Sequence, residues 1–238
     1  MIGVRGLKVF LFDIDGTLML SGGAGKRSME RAFADLFGVP HAFNGFDFQG
    51  KVDPAIFREA IRLHNLRPAD EDAAIRQLID TYERYVADEM PRTTTAVLMP
   101  GVRELLERLA GRPDVSLGLL TGNLLGGARA KLSHFDLWRF FPYGAFGSDH
   151  EDRRALVPIA LARASVHLGL VIEPGRHVYV IGDTDRDIAC AKANNCTAVG
   201  VATLGFTAEQ LRSLGADIVF QDLSDTARVL RELGVDHE

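Results

Sequence analysis

Short apolar segments that end in polar or glycine-rich turns recur along the chain and alternate with helical patterns. Each segment consists of apolar, often β-branched residues bounded by turn-forming residues, which is typical of a buried strand. The predicted strands span residues 8–12, 116–120, 177–181, 197–202 and, more weakly, 217–220. Because strands that alternate with helices form a parallel sheet covered on both faces, we predict an α/β fold with a doubly wound, Rossmann-like sheet.

The connection between the first two strands is much longer than the others. From residue 18 to about residue 91 there is no convincing strand, and structureless connections of this length are uncommon in compact domains. Helical patterns fill the interval, and Asp53 and Pro54 fit the N-cap and the first position of one helix. These helices are predicted at 28–37, 54–64 and 71–90. We therefore predict a helical cap inserted into an α/β core, with the cap at residues 18–92 and the core at residues 1–17 and 93–238.

Composition and charge narrow the class of protein. The 238 residues are 47% hydrophobic and 25% charged, which is an ordinary globular balance. The net charge of -5 argues against broad binding to nucleic acid or to an anionic membrane. Cys190 and Cys196 suggest neither a disulfide framework nor a zinc site, and no run approaches the length of a membrane span. We therefore expect a cytoplasmic protein that binds neither nucleic acid nor membrane.

Two aspartates follow the first predicted strand. Asp13 and Asp15 are two residues apart, so in an extended segment both side chains point to the same side. Open α/β sheets bind their ligands at the carboxyl ends of such strands. Two carboxylates this close repel each other unless a cation or a shared proton compensates, and hard oxygen ligands suit Mg²⁺. The alternative is an exposed Asp-Gly turn.

Two further polar clusters follow other predicted strands. One cluster consists of Thr121, Gly122 and Asn123, directly before a predicted helix. Its side-chain donors and backbone amides would favour the binding of an anion, and the alternative is a simple helix N-cap. Asp183 and Asp187 belong to an acidic segment that opens another helix. These acids either hold a metal ion or stabilise the helix dipole. Asp183 is the first candidate for a metal ligand, because it is nearest the end of the strand.

Taken together, the order and spacing of the three segments resemble the haloacid-dehalogenase superfamily on its phosphatase side, and most of all its phosphoglycolate-phosphatase-like branch. The segments read Asp-x-Asp-Gly-Thr-Leu at 13–18, Leu-Thr-Gly-Asn at 120–123 and Gly-Asp-Thr-x-x-Asp at 182–187. The helical insertion after the first segment also matches the cap position of that branch. The resemblance covers nearly the whole chain and implies a Rossmann-like core with a mobile cap.

The resemblance implies a role for each acidic residue in the hydrolysis of a phosphate ester. Asp13 would be the nucleophile that forms an aspartyl-phosphate, and Asp15 would be the general acid and base. Mg²⁺ would be held by Asp13, the Asp15 backbone carbonyl and Asp183, with Asp187 as a direct or indirect helper. This chemistry is reasonable because a carboxylate nucleophile divides the hydrolysis into two easier steps, and a positioned acid assists a poor leaving group.

The resemblance also implies residues that bind the phosphate and the rest of the substrate. Thr121, Gly122 and Asn123 would contact the phosphoryl oxygens. Lys51 lies in segment 48–53, which resembles a cap loop that faces the active site; the alternative is a solvated lysine.

The sequence departs from the family pattern at the basic residue that usually precedes the third segment. That residue is most often a lysine, but no lysine lies between Lys131 and Lys192. We predict that Arg153 takes its place, with Arg154 as the fallback, since a guanidinium can bridge carboxylate and phosphate. The alternative is a pair of surface arginines in a charged loop.

The prediction for function is a Mg²⁺-dependent phosphatase, monomeric or homodimeric, that acts on a small phosphorylated metabolite. Asp15 argues against a dehalogenase, because the superfamily members that cleave carbon–halogen bonds lack this second aspartate. Two alternatives remain: a phosphomutase of the same branch, and a non-catalytic protein that binds a phosphorylated metabolite. The complete set of Asp13, Asp15 and Asp183 favours an enzyme, since binding alone requires neither a nucleophile nor an acid.

Overall fold

The computed structural model describes residues 6–235, in which a six-stranded parallel sheet lies at the centre of the core. The strands in this part of the chain are β1 (Lys8–Phe12), β2 (Met19–Leu20), β3 (Val97–Leu98), β4 (Val115–Leu120), β5 (Gly144–Ala145), β6 (Val178–Gly182), β7 (Thr197–Val201) and β8 (Ile218–Phe220). The parallel sheet has the order β5-β4-β1-β6-β7-β8, and β2 pairs with β3 in a separate antiparallel ribbon. The predicted α/β fold class is confirmed.

Helices cover both faces of the sheet. They are α1 (Ala24–Phe37), α2 (Asp53–Leu63), α3 (Glu71–Glu89), α4 (Val102–Ala110), α5 (Leu125–His134), α6 (Leu156–Leu168), α7 (Asp185–Ala193), α8 (Ala208–Ser213) and α9 (Thr226–Glu232). None of the helices within residues 6–235 is both long enough and apolar enough to cross a membrane.

The side chains of β1 show how the sheet builds a core on each face. Phe10 and Phe12 point to one face, where α4 and α9 contribute apolar residues. Val9 and Leu11 point to the other face and pack with residues of α6, α7 and α8. All four side chains are fully buried, as expected for a central strand that is covered on both sides.

The helices α1, α2 and α3 form an insertion between β2 and β3. In the ribbon at its base, Met19 lies opposite Leu98 and Leu20 lies opposite Val97. The three predicted helices are confirmed, although α1 begins at Ala24 rather than at residue 28. The division into a cap at 18–92 and a two-part core stays a prediction, and residues 1–5 and 236–238 of that core lie outside the described residues.

Two local predictions for this region are wrong. Strand β2 lies within the interval where no strand was predicted; with two residues it shows no readable periodicity. The N-cap of α2 is Val52, and Asp53 is the first helical residue. The reason is that the Asp53 carboxylate accepts a hydrogen bond from the Leu124 amide, at 2.9 Å, instead of capping its own helix.

Candidate active site

The register of the sheet brings the three polar segments together at the carboxyl end of β1. Phe12 lies opposite Leu119 of β4 and Ile181 of β6. The amide of Asp13, the next residue, donates to the Ile181 carbonyl at 2.9 Å. The segments that follow β1, β4 and β6 therefore meet at one edge of the sheet, as the sequence predicts.

Three buried carboxylates form the one group within residues 6–235 that could hold a metal ion. Asp13, Asp183 and Asp187 each offer an oxygen, and these oxygens lie within 4.8 Å of one another. Arg153 lies among them, with Nη2 3.0 Å from Asp13 Oδ1 and a further close contact to Asp187. Asp13 Oδ1 is buried and pairs with the Arg153 guanidinium, although the contact is not a well-aligned hydrogen bond.

The negative charge of this cluster is only partly compensated. Burial raises the pKa of Asp13 to about 6, although the Arg153 guanidinium acts in the opposite direction. Burial, together with the neighbouring carboxylates of Asp13 and Asp187, raises the pKa of Asp183 to about 8. A divalent cation would relieve this repulsion, and hard carboxylate oxygens suit Mg²⁺. The residues present therefore fit the predicted metal.

We expect the metal-free protein to lose stability as the pH rises from about 5 to about 8. A carboxyl group whose pKa is raised on folding favours the folded state while it is protonated. For Asp183 this contribution is fully present below its ordinary pKa of 3.8 and is lost as the pH rises through about 8. Melting temperatures measured in a chelator over this range check the expectation. Excess Mg²⁺ should flatten the profile, Asp183→Asn should reduce its slope, and a metal-free profile that rises with pH would contradict it.

Asp187 is more fully engaged by protein donors than Asp183. Its Oδ2 accepts from the backbone amide and the hydroxyl of Thr184, at 3.1 and 2.7 Å, and its Oδ1 contacts Arg153. Asp183 accepts a weak 3.4 Å hydrogen bond from Thr17. This arrangement leaves oxygens of Asp13 and Asp183 for a metal, whereas Asp187 orients Arg153.

Gly16 allows the first segment to approach Asp183. Its φ is +85°, and a Cβ at this position would lie 2.3 Å from Asp183 Oδ2. A residue with a side chain would therefore be strained in its backbone and would displace the Asp183 carboxylate.

Of the two neighbouring arginines, Arg153 is the one that reaches the acidic cluster. It is 7% exposed and lies at the start of a 3-10 turn, Arg153–Ala155, that leads into α6. Arg154 is exposed and pairs with Asp152 at 2.8 Å. The structure thus places the arginine predicted first beside Asp13, and the interpretation of both as surface arginines is wrong for Arg153.

Asp15 lies beside a buried lysine that the sequence analysis did not predict. Lys131 Nζ is 2.6 Å from Asp15 Oδ2 and 2.5 Å from Asn123 Oδ1. The available sequence signal was its position on the buried face of α5, next to Ala128 and Leu132, where an apolar residue would be expected.

The predicted phosphate-binding segment is only partly exposed to the site. Gly122 and Asn123 line the cavity described below, but Thr121 does not. Thr121 is fully buried, and its hydroxyl oxygen accepts from the Asn123 amide and from Asn123 Nδ2, at 3.2 and 2.8 Å. Lys51 does line the cavity, although its ammonium group pairs with Glu59 at 2.7 Å.

A cavity of about 250 Å³ lies between the insertion and the core. Asp13, Asp15 and Arg153 lie on its core side, and Ile56 and Tyr82 lie on its insertion side. The Tyr82 hydroxyl is buried and has no hydrogen-bond partner, so it is a further polar group that a ligand could contact. The volume limits the cavity to a small ligand.

Two carboxylates of the insertion bind the amino end of α5 in the core. Asp53 accepts from the Leu124 amide at 2.9 Å, and Glu83 accepts from the Gly126 amide at 2.7 Å. Burial raises the pKa of Asp53 to about 7. The amino end of a helix favours negative charge, and these bonds satisfy amides that have no partner within the helix. They therefore hold the insertion over the cavity.

We expect a methyl group at Gly127 to loosen this contact. A Cβ at Gly127 would lie 2.8 Å from the Tyr82 hydroxyl oxygen, between α5 and the insertion. Overpacking of this kind costs about 1–3 kcal/mol, so amide hydrogen exchange at Leu124 and Gly126 should accelerate by roughly 5- to 150-fold in Gly127→Ala. Gly111→Ala is the matched control, since a Cβ there meets nothing nearer than 4.0 Å. Equal exchange rates in the two variants would show that the contact between the insertion and α5 does not depend on Gly127.

Comparison with known proteins shows the family to which the chain belongs. The chain belongs to the haloacid dehalogenase-like hydrolase family, whose model matches residues 7–195. The phosphoglycolate phosphatase of Salmonella typhimurium is 30% identical over 172 residues, which are 71% of this chain and 63% of that protein. The phosphoglycolate phosphatase of Escherichia coli K12 matches to the same extent. The matched region thus spans less than two thirds of the length of these relatives.

Solved structures share the fold over nearly the whole chain. A predicted phosphatase from Clostridium acetobutylicum has a TM-score of 0.69 at 22% identity, covering 95% of this chain and 99% of that one. A β-phosphoglucomutase from Clostridium difficile has a TM-score of 0.66 at 15% identity, covering 96% and 97%. The solved structures show the same fold, and the family match confirms the superfamily that the three sequence segments indicate.

Proposed function

We propose that the protein is a Mg²⁺-dependent phosphatase that hydrolyses a small phosphorylated metabolite through an aspartyl-phosphate on Asp13. One arrangement carries the proposal: the buried Asp13 carboxylate lies beside Arg153 and shares a cavity with Asp15. A nucleophile, a phosphate-binding cation and an acid are the groups that the reaction requires. The family match and the phosphatase relatives support this assignment.

In the first step, a carboxylate oxygen of Asp13 attacks the phosphorus and the ester P–O bond breaks. The leaving oxygen takes a proton from Asp15, so the products are an alcohol and an aspartyl-phosphate. Arg153 Nε is buried and has no hydrogen-bond partner, which supports its role as a donor to a phosphoryl oxygen. Gly122 and Asn123, which line the same cavity, would contact the other phosphoryl oxygens.

In the second step, a water molecule gives a proton to Asp15 and attacks the phosphorus. The bond between Asp13 and phosphorus breaks, which releases inorganic phosphate and restores the Asp13 carboxylate and the protonated Asp15. Asp15 suits this double role because its side chain is 42% exposed at the cavity, whereas Asp13 is buried.

Mg²⁺, held by Asp13, Asp183 and the Asp15 carbonyl, would offset the charge of the phosphate and of the attacking carboxylate. Arg153, oriented by Asp187, supplies a positive charge beside the Asp13 carboxylate. The insertion would act as the cap, since its contacts with α5 close the cavity and exclude water from the phosphorylated intermediate.

The experiment that tests this function is phosphate release from a panel of small phosphate esters, with and without Mg²⁺. The panel should include phosphoglycolate, sugar phosphates and nucleotides, with Asp13→Asn as the blank. Metal-dependent release that the variant lacks is the expected result. Release that is independent of Mg²⁺ or unchanged in Asp13→Asn would overturn the proposal, and isomerisation of a sugar phosphate that requires a bisphosphate would indicate a phosphomutase.

A further inference from the structure

A closed set of hydrogen bonds joins Lys131, Asn123 and Asp15. Lys131 Nζ donates to Asp15 Oδ2 at 2.6 Å and to Asn123 Oδ1 at 2.5 Å. Asn123 Nδ2 donates to the same Asp15 oxygen at 2.8 Å and to Thr121 Oγ1 at 2.8 Å. Each bond fixes the geometry of the next, so the orientation of the Asn123 amide is determined on both of its sides.

Both donors reach the same oxygen of Asp15. Oδ2 accepts from Lys131 and from Asn123, and neither bond uses Oδ1. The Asp15 side chain lines the cavity. Oδ2 is therefore occupied by protein donors, and Oδ1 is the oxygen left to exchange a proton with a ligand or a water molecule.

The insertion completes the surroundings of Lys131. The lysine side chain is 6% exposed, and a Cβ at Gly25, in the first turn of α1, would lie 3.5 Å from Lys131 Nζ. A buried ammonium group is costly unless it is paired and hydrogen-bonded. Its position on the apolar face of α5 therefore favours a role for Lys131 at Asp15 over a role in packing.

We infer that Lys131 is a positioning residue that holds the Asp15 carboxyl by Oδ2 and keeps Oδ1 directed to the leaving oxygen of the substrate. This inference rests on the proposed phosphatase function. Lys131 exchanges no proton in the reaction; it restricts the rotation of the Asp15 side chain, so that Oδ1 carries the proton to the ester oxygen and later receives one from water. Such orientation raises the reaction rate strongly, since a misplacement of about 1 Å can lower the rate by about 10²-fold.

The test compares Lys131→Met with the wild-type protein on esters whose leaving groups differ in their need for a proton. An alkyl phosphate requires protonation of its leaving oxygen, whereas p-nitrophenyl phosphate expels a stable anion. We expect kcat/KM, which reports the first phosphoryl transfer, to fall by about 10²-fold for the alkyl ester and to change little for p-nitrophenyl phosphate. An equal loss on both esters, or no loss on either, would overturn the inference.

A second comparison asks whether Lys131 acts through Asp15. In an Asp15→Asn background, adding Lys131→Met should lower kcat/KM no further, because the group that it positions is already absent. A full additional loss would show that Lys131 contacts the substrate itself and would overturn the positioning role. Lys192→Met, at a surface lysine that pairs with Asp217, is the control for removing a lysine.

Two further controls keep the outcome interpretable. If Lys131→Met melts below the assay temperature, Lys131→Gln, which keeps a donor, replaces it and should show a smaller loss with the same dependence on the leaving group. A wild-type protein that releases no phosphate would refute the proposed function itself. Wild-type turnover with a uniform loss in the variant would refute only the role of Lys131.

Discussion

The Asp13→Asn variant is expected to release phosphate at least about 10³-fold more slowly than the wild-type protein, while it keeps its fold. The amide has nearly the shape of the carboxylate but cannot attack phosphorus. The change also removes one of three neighbouring carboxylates, and with it part of the repulsion that raises the pKa of Asp183. The metal-free variant should therefore melt no lower than the wild-type protein at about pH 8.

Phosphate release and thermal melting, measured on the same preparations, check this result. Asp185→Asn is the matched control, because Asp185 is an exposed acid at the start of α7, outside the buried cluster. It should keep wild-type turnover. Turnover in Asp13→Asn close to that of the control would exclude Asp13 as the nucleophile.

The Arg153→Met variant is expected to lose both turnover and metal-free stability. Arg153 is the cation that lies among the buried carboxylates of Asp13 and Asp187, and removing one partner of a buried ion pair costs about 3–5 kcal/mol. Without the guanidinium, the pKa of Asp13 rises further, so the loss of stability should grow as the pH increases. Turnover should fall because the variant lacks a hydrogen-bond donor to the phosphoryl oxygens of the substrate.

Denaturant unfolding in a chelator measures this loss, and the adjacent Arg154 provides the control. Arg154→Met removes an exposed arginine whose partner is Asp152, and we expect no measurable change in stability or turnover. Excess Mg²⁺ should narrow the stability gap between Arg153→Met and wild type, because a bound cation compensates the same carboxylates. Indistinguishable unfolding curves for the two arginine variants would contradict the assigned position of Arg153.

The sheet and the position of the site could be predicted because both follow from short local patterns. Strand β1 has the predicted bounds, because its short apolar run ends at the polar segment that begins with Asp13. Once the strands are parallel, the segments that follow them must meet at one edge of the sheet. Asp13 and Asp183 could therefore be placed together without knowledge of any contact.

The features that could not be predicted depend on contacts between distant parts of the chain. Strand β5 has two residues and no readable pattern. Asp53 has the local properties of an N-cap, but its partner is the Leu124 amide, 71 residues further along the chain. Lys131 contacts Asp15 across 116 residues, and its own segment indicates only that it interrupts an apolar helix face.

The measurement that tests the central claim most directly is the detection of the phosphorylated protein. The protein is mixed with a ³²P-labelled substrate and Mg²⁺, quenched in acid during the first turnover, and digested to locate the label. The account predicts a label on the peptide that contains Asp13, its release by hydroxylamine as expected for an acyl phosphate, and no label in Asp13→Asn. Rapid phosphate release with no labelled protein at any time, or a label on another residue, would contradict it.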